Sequence, residues 1–189
     1  MAMIGSNEAR FPARTRVFLA VSFLVASVAV SSRLSAAQPV PPILQVPSDN
    51  GIAWRAAASG SITYECSITP DSGEPPRWRA VKAEAELGDG KAGNSGVYSS
   101  PPETWKASDG SSLTGMEVVR ANVGPDRLYD QLVLANPSRG AGLLTGVTYI
   151  QRLVSSGGAA PSAERCTMAT LKQRERVGYH AEYVFWKPQ

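Results

Sequence analysis

Histidine and cysteine are almost absent from this chain of 189 residues, which has one histidine, His180, and two cysteines, Cys66 and Cys166. Any Ser–His–acid or Cys–His catalytic scheme would therefore have to use His180. The Gly-x-Ser-x-Gly nucleophile elbow of the α/β-hydrolases is also missing. Two distant cysteines and one histidine make a poor zinc-binding set. We therefore predict no catalytic residue, no metal site and no cofactor.

The sequence also lacks an apolar run long enough to cross a bilayer. Residues 17–30 are apolar or small, but a transmembrane helix needs about 20 such residues. Arg10, Arg14 and Arg16 precede this run, and the small residues 35–37 follow it, which is the pattern of a secretory signal peptide. We expect residues 1–37 to be removed and the remaining chain, with no transmembrane segment, to be periplasmic or extracellular.

The part of the chain that follows this leader has no excess of positive or negative charge. The whole chain has 19 Lys and Arg against 16 Asp and Glu, and residues 1–37 hold four Arg and one Glu. The rest therefore has 15 residues of each sign. A neutral domain lacks the basic surface that nucleic-acid binding usually requires, so we predict no nucleic-acid partner.

The two cysteines both lie in the part of the chain that we expect to be exported. An even number of cysteines in an oxidising compartment favours one disulfide, Cys66–Cys166. A pair of free buried thiols and half of a metal site are the alternatives.

Proline and glycine divide the chain in a way that is typical of β proteins. Residues 38–50 carry four prolines and predict an extended arm, either a spacer or a segment lying on the domain. From there on, Gly and Pro clusters recur every ten to fifteen residues between short runs rich in β-branched and aromatic residues. The predicted strands are residues 61–68, 113–123, 128–135, 146–154 and 176–186.

The last of these runs gives the clearest pattern. In residues 176–186 the side chains alternate, with Tyr179, Tyr183 and Phe185 on one face and His180 and Trp186 on the other. Residues 78–87 and 163–176 have helix-friendly content, although the first also suits a strand. We predict an all-β fold for residues 51–189: a single-domain β-sandwich, with a barrel-like alternative, and short helical or irregular connections.

The second half of the chain resembles a known family. The residues that carry the resemblance are those of 147–152, 155–161, Cys166 and 179–185, and Tyr64, Trp78 and Trp105 fall in the family's order. The chain is similar to a family of secreted bacterial and fungal proteins known as domain of unknown function number 3455. The resemblance covers about residues 40 to 187 and implies an exported, β-rich protein without an agreed activity. Members usually carry a histidine just before the tryptophan, and residues 97–105 here do not.

Four residues are the best candidates for a binding surface: Tyr98, Trp105, Arg152 and Trp186. Aromatic faces stack on sugars and other flat ligands, although burial in the core is the usual place for Trp105. Arg152 could hold an anion or a carboxylate, or it could serve a structural ion pair or fix a loop. Trp186 lies on the face opposite Phe185, which favours exposure.

These observations favour a non-enzymatic envelope or extracellular module that binds a ligand or a surface, with carbohydrate as the first ligand to test. An extracellular hydrolase that uses carboxylates from separate loops is one alternative, and it requires two carboxyl groups facing each other across a cleft. A structural envelope protein without a ligand is the other.

Overall fold

The structure, a computed structural model, describes Ala2, residues 39–91 and residues 95–189. Apart from Ala2, the predicted leader lies outside the described residues. Within them, no helix is long and apolar enough to cross a membrane. The described residues form eight strands: β1 (Asn50–Ser67), β2 (Arg77–Gly88), β3 (Ser95–Ser100), β4 (Thr104–Ala107), β5 (Ser112–Ala121), β6 (Asp130–Ala135), β7 (Tyr149–Gly157) and β8 (Arg174–Pro188).

Each strand pairs with the next in antiparallel fashion, and β8 pairs with β1 to close the sheet into a barrel. The all-β prediction is confirmed, in its barrel-like form. The connections include three 3₁₀ turns, at Pro42–Leu44, Ala163–Arg165 and Met168–Thr170, and the described ranges hold no α-helix. We call the end of the barrel at which β1 begins the lower end, and the end at which β1 finishes the upper end.

Alternation of side chains builds the core. In β8 the predicted inward face is confirmed, because Tyr179, Ala181, Tyr183 and Phe185 are buried inside the barrel. The same alternation continues where β8 pairs with β1 to close the barrel. There, Phe185 lies opposite Trp54 and Tyr183 lies opposite Ala56. One closed sheet therefore encloses one hydrophobic core.

The proline-rich arm lies on the outer wall. Its 3₁₀ turn contacts β5 and β6, and Leu44 within it is fully buried. The Nε2 group of Gln151 donates a hydrogen bond of 2.7 Å to the carbonyl of Leu44. Val184, the register neighbour of Gln151, is also buried, although its place in the alternation points it outward. The arm is thus part of the fold.

Several predicted elements differ from the observed ones. The ambiguous segment 78–87 is strand β2, and segment 163–176 forms two 3₁₀ turns followed by the start of β8. Strands β3 and β4 were not predicted, since their six and four residues give too short an alternating pattern.

The predicted disulfide is present, with Cys66 at the end of β1 joined to Cys166 between the last two 3₁₀ turns. It ties the β7–β8 connection to the upper end of the barrel. In the chain-entropy account, a bridge that closes a loop of 100 residues stabilises the fold by up to about 4.7 kcal/mol.

We expect Leu44→Ala to lower the free energy of unfolding by about 2–5 kcal/mol, because it removes a fully buried side chain from the arm. Ile43→Ala is the matched control, since Ile43 is the adjacent residue and is 61% exposed. Its loss should stay within about 0.5 kcal/mol. Urea unfolding of both variants measures the difference, and equal losses would contradict the docked arm.

Candidate functional site

The inner wall of the barrel is lined by aromatic rings in contact with one another. The ring centroids of Tyr98 and Trp105 lie 5.2 Å apart, and those of Tyr98 and Tyr183 lie 5.4 Å apart. Gly115 makes room for Trp105, because a Cβ at that position would lie 3.2 Å from the indole ring and 2.4 Å from Val133. The rings fill the centre of the barrel.

Arg152 lies among these rings, on the inward face of β7. Its register neighbours are Gln131 on β6 and Tyr183 on β8, and only 7% of its surface is exposed. Its Nη2 group donates a hydrogen bond of 3.2 Å to the carbonyl of Tyr129, and the Tyr183 side chain is its register neighbour on β8. The Nε group is buried and has no hydrogen-bond partner among the described residues.

A buried carboxyl group lies close to this guanidinium. Glu103 belongs to the turn between β3 and β4, and its Oε1 atom accepts hydrogen bonds from the Tyr98 hydroxyl (3.4 Å) and from Gln131 Nε2 (2.7 Å). Its Oε2 atom is buried and has no partner in the described part of the chain. Burial raises the pKa of Glu103, against the opposing effects of the Gln131 hydrogen bond and the Arg152 charge. We call Tyr98, Glu103, Gln131, Arg152 and Tyr183 the inner polar cluster.

Gln131 connects this cluster to the surface. The same Nε2 group that binds Glu103 also donates a hydrogen bond of 2.9 Å to Glu117 Oε2. Glu117 is partly exposed and forms a 3.5 Å ion pair with Arg120. Glu103 Oε1 and Glu117 Oε2 therefore accept hydrogen bonds from the same nitrogen atom. These two oxygens can be no further apart than the two bond lengths added together, and the Gln131 amide lies between them.

Short strands explain why the cluster lies close to solvent here. The last register pairs of the β3–β4 hairpin join Ser100 to Ala83 and Thr104 to Thr114. Strands β2 and β5 both continue upward beyond these pairs. The barrel wall is consequently lowest at the turn that carries Glu103.

A second candidate lies outside the barrel, at its lower end. It is an open cleft of about 660 Å³ between the outer face of β1 and the residues that follow β2. Arg55 and Glu182 form a 2.8 Å ion pair in its wall. The Nε1 group of Trp54 is buried and has no partner among the described residues. The lining comprises Ile52, Ala53, Trp54, Arg55, Ala57, Gly88, Asp89, Gly90, Lys91, Leu143 and Glu182.

The four predicted binding residues do not share one surface. Tyr98, Trp105 and Arg152 come together inside the barrel, whereas Trp186 lies on the outer wall. Trp186 is half-buried, lies opposite Ile52 in the register, and donates a 2.9 Å hydrogen bond to Gln151. Trp186 is not among the residues that line the cleft.

Sequence reasoning missed most of the residues that contribute to the two candidate sites. Arg55 and Glu182 are far apart in the chain and meet only because β1 pairs with β8. Glu103 had no local signal that distinguished it from the other acids. The Trp54 side chain could have been assigned to the core by extending the alternation of β1 backwards from Ile62.

The described residues contain no group of three or more His, Cys, Asp or Glu side chains that could hold a metal ion. The comparison with protein families gives a match over residues 47–187, to the family described as Protein of unknown function (DUF3455). This confirms the resemblance found in the sequence. No curated protein and no solved structure matches the chain.

We expect Glu103→Gln to be at least as stable as the wild type at neutral pH, because the raised pKa of Glu103 means that the folded state disfavours the ionised carboxylate. A carboxyl group whose pKa is higher in the folded than in the unfolded state lowers the free energy of unfolding as the pH rises. The loss begins near the pKa of the unfolded state and is complete above the pKa of the folded state. The advantage of Glu103→Gln should thus grow with pH from about pH 4 upward.

Urea unfolding across this pH range provides the measurement. The matched control is Glu117→Gln, which changes the other acceptor of the same amide without removing a buried carboxyl group. A Glu103→Gln variant that loses stability relative to the wild type as the pH rises would contradict this account.

Proposed function

The chain belongs to the DUF3455 family of proteins of unknown function, and we propose that it is a non-enzymatic binding module whose outer cleft takes a neutral carbohydrate. The observation that carries this proposal is the cleft itself, which is concave, open to solvent and of the size that small-molecule sites have, about 300–1,000 Å³.

The charges of the cleft favour a neutral ligand. Arg55 and Lys91 are balanced by Asp89 and Glu182, so neither an anion nor a cation meets a field of opposite sign. The Arg55–Glu182 pair presents donors and an acceptor side by side. A sugar hydroxyl can donate to one partner and accept from the other in the same place. Hydrogen bonds to ionised groups are also stronger than those between neutral groups.

Apolar groups complete the site. Ile52 and Leu143 line the cleft and provide surface for the C–H faces of a sugar ring.

We also propose that the protein works outside the cytoplasm, in the periplasm or the extracellular space. The Cys66–Cys166 disulfide supports this, because such bonds persist in oxidising compartments. We expect the predicted leader at residues 1–37 to direct export of the chain from the cytoplasm.

The hydrolase alternative has one observation in its favour. Glu103 and Glu117 are about as close as the two carboxyl groups of a retaining glycosidase, which lie about 5–5.5 Å apart. The amide of Gln131, however, occupies the space in which the scissile bond would have to lie. Binding without catalysis is therefore the better-supported function. The structural alternative required a protein without a pocket, and the cleft counts against it.

The test is thermal unfolding of the purified full-length chain with neutral oligosaccharides such as maltose, cellobiose and chitobiose. We expect at least one to stabilise the fold, by about 2.7 kcal/mol at 100 times its dissociation constant. Arg55→Ala should abolish this response, because it removes the donors of the cleft wall.

Arg174→Ala is the matched control. Arg174 pairs with Glu65 at 2.7 Å across the same two strands, away from the cleft lining. Both variants lose an exposed ion pair and at most about 1 kcal/mol of stability. A sugar response that survives in Arg55→Ala, or no response to any sugar in the wild type, would overturn the carbohydrate proposal.

A further inference from the structure

The carbohydrate proposal leaves a buried positive charge without a role. Arg152 is 7% exposed, and among the described residues it forms no direct ion pair, although its charge acts on the carboxyl groups of Glu103 and Asp130. Charged side chains are rarely buried unless they are paired, because transfer of an ion into the interior is strongly unfavourable. The described residues therefore give Arg152 no carboxylate in direct contact.

The contacts that Arg152 does make are with neutral groups. Its Nη2 group donates a hydrogen bond to the Tyr129 carbonyl, and the neutral Tyr183 side chain is its register neighbour. The bond to Tyr129 orients the guanidinium without neutralising it. The Nε group keeps one N–H donor that meets no acceptor in the described structure.

A carboxyl oxygen in the same condition lies near this donor. Glu103 Oε2 is buried without a partner, and Gln131 joins the two residues, since it is the register neighbour of Arg152 and a donor to Glu103. Burial raises the pKa of Glu103. A protonated Glu103 would carry no charge opposing an anion and could donate a hydrogen bond through its free oxygen.

We propose that the inner polar cluster is a second ligand site, which binds a small organic carboxylate. The carboxylate accepts hydrogen bonds from Arg152 and balances its charge, and the rest of the ligand extends toward the low part of the wall at Glu103. Arginine is the side chain best suited to a carboxylate, because its planar donors match the two oxygens. A cation would be repelled there, and a neutral ligand would leave the guanidinium uncompensated.

The entrance lies at the low part of the wall. Glu117 faces solvent there, and its hydrogen bond through Gln131 to Glu103 separates the cluster from water. A ligand that reaches Arg152 breaks these bonds and replaces them. This site uses none of the side chains that line the outer cleft, so the two proposals can fail independently.

Benzoate and benzamide test the proposal, because they have nearly the same shape and differ in charge. We expect benzoate to raise the unfolding temperature of the full-length protein in a saturable manner, and benzamide to have no effect. Arg152→Met keeps the bulk of the side chain and should weaken benzoate binding, measured by calorimetry, at least tenfold. Arg120→Met is the matched control, since Arg120 is an exposed arginine that pairs with Glu117, and it should change the affinity less than threefold.

Equal responses to benzoate and benzamide, no response to benzoate, or undiminished benzoate binding in Arg152→Met would each overturn the proposal. If Arg152→Met does not fold, the wild-type protein still decides the question through the ¹H–¹⁵N signals of its arginine Nε groups. The signal that disappears in Arg152→Lys must move with benzoate and stay in place with benzamide. The proposal is also overturned if this arginine signal shifts with neither benzoate nor benzamide, or if it shifts with both.

Discussion

Closure of a single antiparallel sheet is the constraint on which the rest of this structure depends. Because β8 pairs with β1, the sheet has no free edge, and strand side chains face either the interior or the outer wall. Eight strands leave an interior that is just wide enough for side chains. Here the aromatic rings take most of that space, so a polar group on the inner wall has few possible partners. Arg152 and Glu103 show the result, since one atom of each has no hydrogen-bond partner among the described residues.

The two walls consequently carry different chemistry. Outside, charged groups are exposed and matched, as in the pair of Arg55 with Glu182. Inside, the positive charge of Arg152 faces tyrosine hydroxyls and a carboxyl group whose ionisation burial disfavours. The arm adds a third layer on the outside, where Leu44 covers the sheet. Matched charge suits a neutral polar ligand, whereas unmatched charge calls for a ligand of opposite sign.

The sequence predicts the local features of this fold well and the long-range ones poorly. A period of two in β8 identifies the inward face of Tyr179, Tyr183 and Phe185, because strand geometry alone fixes it. The cysteine pair follows from composition and compartment. Closure of the sheet into a barrel cannot be predicted from such local patterns, since the register between β1 and β8 depends on the whole sheet. For this reason the cleft could not be foreseen, and Trp186 could not be separated from Tyr98 and Trp105 as a member of a different surface.

The closing seam joins the two ends of the folded chain, and this has a consequence for how the protein is made. Strand β8, of fifteen residues, supplies the partner of both β7 and β1 and follows the other seven described strands in the chain. Contacts between such distant segments form slowly, because the intervening chain must first be brought together. A chain that stops before Arg174 leaves two long strand edges open at once, and open edges recruit other chains. Until β8 has been made, the edges of β1 and β7 thus stay open to pairing with other chains.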